Sequence, residues 1–103
     1  MRRWLAAAAL FALACSSSTT LSHEQLESEQ KQLRSLEAEV TLHETIVSNG
    51  RATQSYARGH ARYLAQAAQE HITQLAKKTP APGDEAEFRR LQAGFAALPP
   101  RLQ

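Results

Sequence analysis

The chain of 103 residues carries 12 basic and 10 acidic side chains and one cysteine, Cys15. That length allows one small domain, and a single cysteine allows no intrachain disulfide, so any folded body must be held by packing alone. The formal charge of +2 comes from Arg2 and Arg3, and beyond them acidic and basic side chains balance. With no basic excess and no aromatic residues interleaved with arginine, the composition points away from nucleic acid.

Residues 1–14 read as a sorting signal. Arg2 and Arg3 form a positive n-region, and Trp4 to Leu13 is an unbroken apolar run of h-region length. A transmembrane helix needs roughly 20 apolar residues, and here Ser16, Ser17, Ser18, Thr19 and Thr20 end the run abruptly. Cleavage is therefore expected, not retention as a span.

Phe11-Ala12-Leu13-Ala14-Cys15 resembles the lipobox of bacterial lipoproteins, with one departure: leucine is commonest three places before the cysteine, where this chain has Ala12, and Leu13 stands two places before. The resemblance covers residues 1–16 and does not extend to the body. It implies cleavage before Cys15, a diacylglycerol thioether on that thiol, an acyl chain such as palmitate on the new N-terminus, and residence in a bacterial cell envelope. Two or three acyl chains anchor stably where one is marginal. Ser16 follows the cysteine, where enterobacterial lipoproteins retained at the inner membrane carry aspartate, so the resemblance implies outer-membrane delivery with the body facing the periplasm. Without the resemblance, Cys15 is a small residue beside an ordinary signal-peptidase site.

Residues 15–21 are expected to form a polar tether reaching about 20 to 25 Å when fully extended. The first helix then announces itself. Ser22 and Gln25 have capping-box spacing, and Leu21 and Leu26 occupy the staple positions. Leu26, Leu33, Val40 and Val47 recur every seven residues with Leu36 on the second seam position, which places them on one stripe. Glu29 and His43 interrupt that second position, so a helix packed within its own domain is favoured over a long coiled coil.

Ser48-Asn49-Gly50 is the natural break, since Asn tolerates and Gly favours the left-handed conformation past a helix end. A continuous helix stays open as the alternative, because no proline forbids it and Gly costs only about 1 kcal/mol relative to Ala. From Arg51 to Lys77 the chain is again helical in pattern, with Ala57, Ala61, Leu64, Ala68, Ile72 and Leu75 on one side and Arg51, Arg58, Arg62, Gln66 and Gln69 on the other. Residues 22–49 hold six glutamates against Lys31 and Arg34, while residues 50–79 hold five basic residues against Glu70. Opposite charge favours pairing of the two segments in a hairpin over residues 22–78, although each exposed pair contributes only about 0 to 1 kcal/mol.

Residues 79–83, with Pro80, Pro82 and Gly83, are expected to be a linker. Asp84 and Glu87 repeat the capping spacing, and Phe88, Leu91, Phe95 and Leu98 give a short amphipathic helix over 84–98 that Pro99 and Pro100 close, leaving a tail at 99–103. The fold class that follows is all-α: a helical hairpin with a short third helix in its groove, behind a cleaved signal peptide. At this size the core is marginal, so a partner, such as another envelope protein or a second copy, is expected to contribute.

The histidines are the only candidates for chemistry. In a hairpin turning near Asn49, Glu39 lies roughly opposite His60 with His43 about a turn away, and two imidazoles with one carboxylate suit Zn²⁺ or Cu²⁺. No His-x-x-x-His spacing is present, and ordinary boundary histidines are the competing reading. Tyr56 and Tyr63, one heptad apart, read as core edge or as anchors for a partner. No nucleophile elbow or phosphate loop occurs, so no enzyme is expected, and the covalent lipid on Cys15 is the one non-protein group implied. The expected role is a membrane-anchored helical interaction or structural module; the alternative is a metal-binding or stress-sensing lipoprotein that uses His43 and His60.

Overall fold

The computed structural model describes residues 19–103, and the sorting signal and Cys15 lie outside them. The fold is all-α, with three helices and one two-residue parallel bridge. In chain order these are β1 (Thr20–Leu21), α1 (His23–Ser48), α2 (Gln54–Ala76), β2 (Thr79–Pro80), α3 (Glu85–Ala96) and a single further turn, α4 (Leu98–Arg101).

Helix α1 begins where the side chains dictate. Ser22 Oγ accepts from the Gln25 backbone N–H, and Gln25 Oε1 accepts from that of Ser22, so two of the orphan donors at the helix start are satisfied reciprocally. Leu21 and Leu26, flanking the cap, are both buried. At 26 residues α1 is about 39 Å long. It ends in a Schellman motif: Arg51 N–H donates to the Ile46 carbonyl and Gly50 N–H to that of Val47, with Gly50 at φ +66°. The left-handed glycine turns the chain back on itself, so the hairpin forms and the continuous helix does not. Thr53 then caps α2 by accepting from the Tyr56 N–H, which is why α2 starts three residues later than the periodicity predicts.

The third layer runs parallel to α1, with Asp84 beside His23, Gly94 against Leu33, and Arg101 beside Glu44. The core lies among the three helices and is built from Leu26, Leu36, Val40, Leu64, Ala68, Leu75, Phe88, Leu91, Phe95 and Leu98, with Leu33 and Ile72 packed at its edge. Val47, expected on the same stripe, is 45% exposed. The last helical turn of the third layer ends at Arg101, level with Glu44, and Val47 lies one turn further along α1, on the wall of an open groove that it shares with Leu102 and Gln103.

Three other expectations are corrected. Residues 20–21 are not free tether: Thr20 pairs with Thr79 and Leu21 with Pro80, and Leu21 is buried in the core. An apolar residue beside a helix cap gains more from burial than from solvent, and in closing on the body it also takes residues 79–80 out of the linker. Asp84 stands at the N-cap of α3 but makes no side-chain cap; its carboxylate accepts from His23 instead, while Glu85 accepts from the Gly83 N–H. Finally, residues 99–103 are not a loose tail. Proline needs no N–H partner in the first turn of a helix, so Pro99 and Pro100 continue as α4, Leu98 is fully buried, and Leu102 packs against the core. Arg101 forms an ion pair with Glu44 and donates to Thr41 Oγ1. Its guanidinium holds the Glu44 carboxyl below the usual carboxylate range. None of the described helices is long and apolar enough to cross a membrane.

Candidate functional site

The two polar residues that interrupt the seam of α1 are the two that meet histidines of α2. Glu29 Oε2 lies 2.9 Å from His71 Nδ1, and His43 Nδ1 lies 2.9 Å from His60 Nδ1. The seam residue between them, Leu36, is buried. The hairpin is thus apolar in the middle with a polar rung toward each end. A polar group at such a position costs stability unless it is paired, and both rungs are paired.

The rung nearer the clip that Thr20–Leu21 form with Thr79–Pro80 is structural in character. His71 lies parallel to the Phe95 ring at a centroid distance of 4.4 Å, so it joins α1 through Glu29 and α3 through a stacked face. Below it, His23 on α1 meets Asp84 at 3.2 Å and Glu27 at 3.1 Å. The Asp84 hydrogen bond, reinforced by the charges of Asp84 and Glu27, raises the His23 pKa above its ordinary value.

The rung nearer the turn is different. His43 is 7% exposed, yet its hydrogen-bonding partner is another imidazole and not a carboxylate. One Nδ1–H donates and the other Nδ1 accepts. The rings meet edge to face at 4.9 Å. His60 also stacks on Tyr56 at 5.5 Å and on Tyr63 at 6.5 Å, the latter with planes only 9° apart. Both tyrosines are mostly exposed, at 55% and 63%. The result is a solvent-facing ladder of Tyr56, His60 and Tyr63 along α2, with His43 beneath it on α1.

The sequence-predicted set is therefore only partly assembled. His43 and His60 come together, but Glu39 lines a separate groove of about 340 Å³ between α1 and α2 with Leu36, Tyr63, Ala67 and His71. Among the described residues no group of three or more His, Cys, Asp or Glu side chains is placed to hold a metal ion. Cys15 lies outside the described residues. Sequence reasoning missed the tyrosine ladder, although Tyr56, His60 and Tyr63 stand at i, i+4 and i+7, the spacing of one helix face. It also missed Glu29 with His71 as a pair, since the register of two helices is not written in either one.

Comparison with family models, with curated proteins and with solved structures yields no match.

Proposed function

We propose that the chain is a small lipid-anchored protein of the bacterial cell envelope, non-catalytic, whose three-helix body is a protein-interaction or structural module. Lipid on Cys15 ties it to the outer membrane, and the body faces the periplasm.

The observation that carries this reading is the clip between Thr20–Leu21 and Thr79–Pro80. Only residues 16–19 separate Cys15 from the clip, a reach of about 17 Å from Cys15 to Thr20 when extended. A body held that closely has a membrane-proximal end, where the clip, His23 and Asp84 lie, and a distal end at the Gly50 turn. Toward the distal end are the four large apolar or aromatic side chains that are exposed among the described residues: Leu42, Val47, Tyr56 and Tyr63. Tyrosine is enriched at interface hot spots because it offers large area with a polar tip. A module anchored at one end and aromatic toward the other is suited to meeting a second envelope protein.

In-cell photocrosslinking tests this. A crosslinking residue at Tyr56 or Tyr63 is expected to give one discrete adduct with an envelope protein, and the same residue at Glu85, near the clip, to give none. Identical adduct patterns from all three positions would remove the proposed polarity.

A further inference from the structure

We propose that His43 and His60 form a copper(II) site, a site that stands independently of the lipid anchor. The two Nδ1 atoms converge from different helices to 2.9 Å, in a chain where the other two histidines are each committed to a carboxylate. The 2.9 Å separation is that of a hydrogen bond, so each ring must turn slightly to aim its Nδ1 at a shared ion over bonds of about 2.0 Å. Two imidazoles in neighbouring positions, with the other positions left to water, suit a square-planar or tetragonal Cu²⁺ site.

The chemistry of the donors agrees with the geometry. The two imidazoles share one hydrogen bond, and both ligate as neutral rings when the shared Nδ1 proton moves to Nε2 of the donating ring, leaving both Nδ1 lone pairs for the ion. Imidazole nitrogen suits copper, and copper(II) stands at the top of the affinity order for nitrogen donors. The hairpin supplies preorganisation: the Schellman turn fixes the register that puts residue 43 opposite residue 60, and the stack of Tyr56 and Tyr63 holds the His60 ring. A groove of about 240 Å³ whose lining includes His43, Glu44, Val47 and Leu102 reaches the His43 side of the pair from the distal end. Only two protein ligands are provided, so water completes the coordination and the ion exchanges readily.

The test is Cu²⁺ titration of the full, detergent-extracted protein, followed by electron paramagnetic resonance with pulsed detection of the imidazole nitrogens. The expected result is one ion per chain with two imidazoles bound. His60→Ala should leave one imidazole and weaken binding by at least about 10-fold, whereas His23→Ala and His71→Gln should change affinity less than about 2-fold. Zn²⁺, which stands below Cu²⁺ in affinity for nitrogen donors, should bind more weakly than Cu²⁺ by more than about 10-fold. A single-imidazole signal in the unmutated protein, or Zn²⁺ binding as tightly as Cu²⁺, would overturn the proposal. The first of these outcomes does not depend on how any variant folds.

Discussion

Phe95→Ala is the most informative single change to the fold, because Phe95 is where the third helix meets both others. It is fully buried within the core and its ring lies parallel to His71 at 4.4 Å. Truncating a buried phenylalanine costs about 3 to 5 kcal/mol through lost transfer energy and the cavity left behind. The stacked histidine loses its partner as well, which places the expected value toward the upper half of that range. A body of this size is stable by only about 4 to 13 kcal/mol, so the change removes a large share of the total. With about 4 to 8 °C lost per kcal/mol in a domain of 60 to 100 residues, Tm should fall by at least about 12 °C. The assay is thermal and urea unfolding followed by far-ultraviolet circular dichroism, with Tyr63→Ala as the reference. Tyr63 is 63% exposed, and its loss should move stability by no more than about 0.5 kcal/mol. If Phe95→Ala and Tyr63→Ala lower Tm by similar amounts, α3 is not docked in solution and the three-helix core is wrong.

Two further outcomes follow from local structure. Gly50→Ala forces a Cβ into the left-handed conformation at φ +66° with no neighbouring atom in the way, so the cost is conformational alone; a loss of about 1 to 2 kcal/mol in urea unfolding is expected, and no loss would mean that the turn is not left-handed. Asp84→Asn tests the contact at the clip. The folded His23 pKa is raised, so the contact stabilises fully below the unfolded value near 6.5 and is lost as pH rises through the folded value. The Tm difference between the parent and Asp84→Asn should therefore be larger at pH 5.5 than at pH 8.5, and an equal difference at both would show that the pair contributes no proton-linked stability.

The helices were legible in the sequence because their signals are local. The Ser22 capping box, the Gly50 stop and the alanine-rich face of α2 each depend on residues within a turn or two of one another. What could not be read depends on chain segments far apart. Asp84 has a capping residue's identity, yet His23, 61 residues away, takes its carboxylate. Pro99 and Pro100 look like a terminator, but burial of Leu98 and the Arg101 to Glu44 pair turn them into the start of another helical turn. Leu21 was legible as a staple and illegible as half of a clip, because its partner Pro80 lies across the whole hairpin. At the candidate site the same limit applies: Glu39 and His43 are one turn apart on α1, and only the facing helix decides that His43 meets His60 while Glu39 lines the neighbouring groove.

The anchor is the claim on which the cellular role stands, and intact mass spectrometry of the protein extracted from bacterial membranes tests it directly. The expected mass is that of residues 15–103 plus a diacylglycerol on the Cys15 sulfur and one further acyl chain on the new amino terminus. Recovery of the whole chain, or of a shortened chain with an unmodified thiol, would contradict it.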